Sequence, residues 1–131
     1  MSRVSIGPMA ALLLVLGATA AQAQAPLNLD GDWSARVRVP NGREYDASLR
    51  LQGQGGIYQF SLRNTGDPCL GLPTPVAWHP TAEGIEISFQ ASKALAGCLD
   101  STMPFQRVDD NTWKGRSSRG TEVTFTRKPP G

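Results

Sequence analysis

Residues 31–52 read GDWSARVRVPNGREYDASLRLQ, and this stretch decides the fold. Apolar side chains alternate with polar ones on both sides of a Pro-Asn-Gly break. Trp33, Ala35, Val37 and Val39 share one face, and so do Tyr45, Ala47, Leu49 and Leu51. That period of two is the mark of a half-buried strand. A two-residue turn at Asn41-Gly42 would set Val37 opposite Asp46 and put apolar residues against polar ones, so it is rejected. A three-residue loop, Pro40-Asn41-Gly42, removes the conflict. Pro40 suits the second position of a type I turn, and Gly42 supplies the left-handed residue of the bulge that follows. Val37 then faces Tyr45, and Trp33 faces Leu49. On the other face the same register sets Arg38 beside Glu44, Arg36 beside Asp46 and Asp32 beside Arg50, three opposite-charge pairs from one choice of turn.

The C-terminal end repeats the device. Ser118-Arg119-Gly120 is again a three-residue loop with glycine third, and it places Trp113 opposite Phe125 and Gly115 opposite Val123. Between the two hairpins, Tyr58/Phe60/Leu62, Val76/Trp78, Ile85/Ile87/Phe89 and Met103/Phe105 each offer one apolar face. Eight strands are expected, over roughly 31–39, 43–52, 57–63, 75–79, 85–91, 101–108, 112–117 and 121–128. The glycines at 53, 55 and 56 are read as the link between the second and third. Each strand has one wet side and no helix is long enough to cover a sheet, so the sheet must cover its own core. The expected fold is an all-β, eight-stranded antiparallel up-and-down barrel over 31–128. A two-sheet sandwich is the alternative, and the choice turns on whether the first and eighth strands pair.

Two connections exceed a turn. Residues 64–74 are rich in Gly and Pro and carry Cys69; residues 92–100 carry Cys98 and a stretch, Lys93-Ala94-Leu95-Ala96, suited to one helical turn. An even pair of cysteines in an exported protein is most simply one disulfide, here Cys69–Cys98, stapling the two connections together. Export itself is expected from the first 23 residues. Arg3, an apolar run from Ala10 to Ala21 and the small residues of Ala21-Gln22-Ala23 have the layout of a secretory signal peptide cleaved before Gln24. Residues 24–30 would lead into the barrel, and 129–131 would form a disordered tail. The expected location is the periplasm or the medium. The net charge of +2 is too small and too dispersed for a nucleic-acid partner, and no later apolar run is long enough to span a membrane.

At Gly31-Asp32-Trp33 and Arg127 the chain resembles the calycins, the lipocalins and avidins. Their barrels carry a Gly-x-Trp on the first strand and an Arg or Lys from the last strand across that Trp. Arg127 shares the parity of Val123 and Phe125, which directs it inward toward Trp33 at the base, where a cation over an indole is favourable. The resemblance implies architecture only. The chain is shorter than a typical lipocalin, has no C-terminal helix of that kind, and shows no avidin-like polar pattern after the first Trp.

Catalytic chemistry finds little to work with. No Gly-x-Ser-x-Gly is present, and His79 is the single imidazole, read as an edge or turn residue beside Pro80. Asp109-Asp110-Asn111 between two strands is read as turn chemistry rather than a ligand run. Glu86 alternates against Ile85 and Ile87 and should be exposed. No metal or cofactor is expected. Tyr58, Trp78, Arg107 and Trp113 are the candidate ligand-binding residues. Parity with Met103 and Phe105 directs Arg107 inward, where it needs a carboxylate from the protein or from a ligand. The leading expectation is an exported, non-catalytic barrel taking a small apolar or amphipathic ligand at the end away from Trp33 and Arg127. The alternative is a protein-binding module, such as an inhibitor of an envelope hydrolase, that presents Leu70, Gly71, Leu72 and Pro73 to an extracytoplasmic partner. A small secreted hydrolase is third.

Overall fold

Backbone amides and carbonyls in a helix-poor chain must find partners on neighbouring strands. In the computed structural model, which describes residues 27–61 and 66–129, eight strands meet that demand in a closed ring. In chain order they are β1 (Gly31–Arg38), β2 (Glu44–Gln52), β3 (Gly55–Phe60), β4 (Thr74–Pro80), β5 (Ile85–Phe89), β6 (Ser101–Asp109), β7 (Thr112–Arg116) and β8 (Glu122–Arg127). A single helical turn, α1 (Ala91–Ala94), lies between β5 and β6. Sequence neighbours pair antiparallel throughout, and β1 also pairs with β8, setting Trp33 opposite Arg127 and Val37 opposite Val123. That last pairing makes a barrel of what could have been a sandwich, and it leaves no strand edge unpaired. The leader expected at 1–23 and its expected cleavage before Gln24, residues 24–26, Leu62 and the rest of 62–65, and Pro130-Gly131 lie outside the described residues.

The first hairpin has the expected register. Val37 faces Tyr45, Trp33 faces Leu49, and Arg38, Arg36 and Asp32 face Glu44, Asp46 and Arg50. The Gly42 amide donates to the Val39 carbonyl, Gly42 has a φ of 87°, and the Val39 amide closes the loop on the Arg43 carbonyl. The 117–121 loop repeats this pattern, with Gly120 at φ 89° and Trp113 opposite Phe125. The three charge pairs form: Arg38–Glu44 at 2.8 Å, Arg36–Asp46 at 2.5 Å and Arg50–Asp32 at 2.8 Å. All are exposed, so they fix register more than they add stability.

Most boundaries shift by a residue or two, β5 ending at Phe89 rather than at residue 91 where α1 begins, and two further differences have a clear cause. β3 begins at Gly55 rather than at residue 57, because the chain reverses in two residues, Gly53-Gln54, and Gln52 pairs with Gly55. Gly56 faces inward where β3 crosses close to β2, and a Cβ there would lie 2.1 Å from the Arg50 carbonyl oxygen. Glycine is what permits that approach. The helical turn falls at Ala91–Ala94 rather than at residues 93–96, held by Asp100, whose carboxylate accepts from the Ser92 amide at 2.8 Å and hydroxyl at 3.0 Å. Those two donors hold the Asp100 carboxyl below its ordinary value.

Strand direction alternates, so each inward side chain has a height as well as a face. Trp33, Trp78 and Trp113 lie near the lower ends of β1, β4 and β7, and all three are buried. Phe105 and Phe125 pack against each other with ring centroids 4.9 Å apart, in the same core as Ile85 and Ile87. The residues before β1 plug the base. Leu29 is buried, and its carbonyl accepts from the Trp33 indole N–H at 2.9 Å. Arg127 lies 4.4 Å over the Trp33 ring and donates to the Asp30 and Asn28 carbonyls at 2.8 and 3.1 Å. The buried core fills the lower half, and a second cavity of about 360 Å³, bounded by Leu29, Arg107, Asp110, Trp113 and Arg127, lies at the lower end.

Candidate ligand-binding cavity

The upper half is built differently. Strands bring in smaller or more slender side chains there, Val37 from β1, Val123 from β8 and Met103 from β6, and no indole reaches this height. The result is a cavity of about 530 Å³, within the range that encloses most of a drug-sized molecule. Four aromatic rings shape its walls. Tyr45 on β2 packs against Phe60 on β3 with centroids 5.5 Å apart, and Tyr58 meets Phe89 edge-on at 5.2 Å. Such tilted and T-shaped contacts lock the rings in place.

The connections make the upper rim. Cys69 and Cys98 are joined in a disulfide with Cα atoms 5.7 Å apart, tying the β3–β4 connection to the β5–β6 connection. The tie draws Leu70, Gly71 and Leu72 onto the cavity wall, with Leu99 and Ala91 from the other connection. The Thr74 hydroxyl donates to the Leu72 carbonyl at 3.1 Å, which holds the end of this segment against β4. Leu70 and Leu99 remain largely exposed, so the cavity is open to solvent between apolar lips. Pro73 faces away, on the outer surface near Ile57 and Gln59.

The four candidate ligand residues separate by height. Tyr58 lines the cavity, and burial alone pushes its phenol up to about 12. Trp78 is core, its indole N–H donating to the Gly53 carbonyl at 2.9 Å in the lower turn. Trp113 is buried at the lower end and, with Arg107 opposite it across the β6–β7 pair, lines the basal cavity. Arg107 has the inward parity but sits beneath the filled floor, beside the bulge between Arg107 and Asp109; its guanidinium stays half-exposed and pairs with Asp110. The anion that Arg107 required is thus a neighbouring turn residue. Tyr45, Phe60, Phe89 and Met103, placed on inward faces by the alternation but not among the four candidates, also line the cavity. Their positions near the upper ends of their strands were the signal that sets them apart from the three tryptophans.

The remaining chemistry is peripheral. His79 is exposed, 3.8 Å from Glu86 across the β4–β5 pair, and both lie on the outer face. Asp109 accepts from the Asn111 amide at 2.8 Å, which is turn chemistry. Among the described residues, no three His, Cys, Asp or Glu side chains gather closely enough to hold a metal ion. Comparison of the chain with protein-family models, with curated proteins and with solved structures found no match.

Proposed function

We propose that this chain is an exported, non-catalytic binding protein, calycin-like in build, whose barrel takes a small apolar or amphipathic ligand through its upper end. One observation carries the reading: above the buried core lies a hollow of about 530 Å³ walled by carbon and a few hydroxyls, whereas the smaller cavity at the base is lined by charged and amide side chains. A barrel that needed only to fold would gain stability by filling that space, since unfilled apolar volume forfeits packing energy. The walls offer contact area and shape rather than a nucleophile or a paired acid and base. Two features support export: the leader-like first 23 residues and the disulfide. Trp33 beneath Arg127 at the closed end supports the calycin likeness.

The test is to fill the cavity from inside. Met103→Trp places an indole in the space, and binding of the neutral fluorescent probe N-phenyl-1-naphthylamine should fall at least tenfold while the β-sheet circular dichroism is kept. Equal binding by the variant and the parent would refute the reading. The exposure of Leu70 and Leu99 favours the second reading, a protein-binding module working through its apolar lips.

A further inference from the structure

Among the described residues the upper cavity has no charged side chain on its walls, yet it is not uniformly apolar. Its side-chain hydroxyls come from Tyr45, Tyr58, Thr74, Ser101 and Thr121. Thr74 already donates to the Leu72 carbonyl. Ser101 and Thr121 sit where β6 begins and just before β8, at the rim. Tyr45 is also close to the rim, next to the start of β2. Tyr58 stands apart. It lies within β3, opposite Leu49 on one side and Thr74 on the other, with its ring fixed edge-on to Phe89.

Its hydroxyl has no hydrogen-bond partner among the described residues, and burial is the sole cause of its raised pKa. No polar side-chain atom among those residues is sealed away without a partner, so the Tyr58 oxygen is left open to the cavity. A neutral phenol is one donor and a weak acceptor. A ligand that displaces solvent from this hydroxyl without offering an acceptor leaves it unpaired in apolar surroundings, a cost that a suitable ligand atom avoids. An ionised ligand group beside Tyr58 would meet no cation among the described wall residues, and burying an uncompensated charge costs several kcal/mol.

We infer that the part of the ligand buried in the barrel is electrically neutral and carries a hydrogen-bond acceptor, such as a ketone, ester or amide carbonyl, that accepts the Tyr58 O–H. The inference rests on the ligand-binding reading above and narrows it to a chemical class. A pure hydrocarbon leaves the phenol unpaired, and a carboxylate pays the desolvation of its charge.

Three probes of one shape test it, with affinities measured by calorimetry on the oxidised protein: 2-acetylnaphthalene, 2-ethylnaphthalene and 2-naphthoate. The ketone should bind roughly three- to tenfold more tightly than the ethyl compound, the worth of one neutral hydrogen bond. The naphthoate should bind at least tenfold more weakly than the ketone. Tyr58→Phe should equalise the ketone and the ethyl compound and leave the melting temperature unchanged, because the hydroxyl holds nothing in the fold. Ketone and ethyl compound equal in the parent protein, a ketone preference that survives Tyr58→Phe, or naphthoate binding most tightly would each overturn the inference while leaving the cavity a binding site. Failure of all three probes would overturn the ligand-binding reading and this inference with it.

Discussion

Replacing Arg127 with alanine tests how the barrel is shut at its base. The guanidinium makes three contacts there: the face of Trp33 at 4.4 Å, the Asp30 carbonyl at 2.8 Å and the Asn28 carbonyl at 3.1 Å. A cation over an indole at a partly exposed site is worth about 0.5–1 kcal/mol. Hydrogen bonds from a charged donor are worth about 1.5–3 kcal/mol each when shielded, and less here because the group is part-solvated. The sum is about 2–4 kcal/mol, or roughly 10–20 °C in melting temperature for a domain of this size. Arg127→Lys keeps the charge but cannot reach both carbonyls in fork geometry, so it should recover about half of the loss. Urea unfolding followed by tryptophan fluorescence reads both variants. The cavity is at the other end, so affinity for a neutral probe should be unchanged in folded Arg127→Ala. A variant within about 0.5 kcal/mol of the parent would show that Arg127 does not hold the segment before β1 across the base.

Other perturbations address the turn, the staple and the buried phenol. Gly42→Val forces a β-branched residue to a φ of 87° and should cost about 1–2 kcal/mol; unchanged stability in urea would sink the bulged-turn assignment. Reducing Cys69–Cys98, which spans a sequence separation of 29, should lower stability by about 3–4 kcal/mol in the chain-entropy view. Reduction should also weaken probe binding, since the staple positions Leu70, Leu72 and Leu99; unaltered affinity after reduction would separate the rim from the site. The Tyr58 phenol, pushed up to about 12 by burial, stays protonated in the fold while the unfolded chain ionises near 10. Its contribution is therefore complete below pH 10 and is lost as the pH climbs from 10 to about 12. Tyr58→Phe should lose less stability than the parent over that interval, and identical losses would contradict the burial of the group.

What could be read from the chain was what local pairing determines. The first hairpin was legible because two independent patterns, apolar on one face and opposite charges on the other, agree on only one register, and the last because its glycine-third loop sets Trp113 opposite Phe125. The start of β3 was not, because Gly55 and Gly56 have no side chains to carry an alternating pattern. Parity tells which face a residue takes but not its height. Arg107, Trp78 and Trp113 share the inward face with Tyr58, yet only Tyr58 lies above the packed floor. The Leu70–Leu72 segment reads as an outward contact in isolation. The disulfide, which acts across a separation of 29 residues, turns it into a wall of the cavity. The cavity itself depends on how side chains from eight strands meet across the closed barrel, which no single segment encodes.

The most direct test of the central claim is native mass spectrometry of the oxidised protein, purified without detergent or solvent from the envelope or medium of its own host. The account predicts one discrete extra mass per chain that leaves on denaturation and is missing from Met103→Trp, with a fragmentation pattern showing a neutral, oxygen-bearing molecule. The bare oxidised chain alone, in repeated gentle preparations, would contradict it.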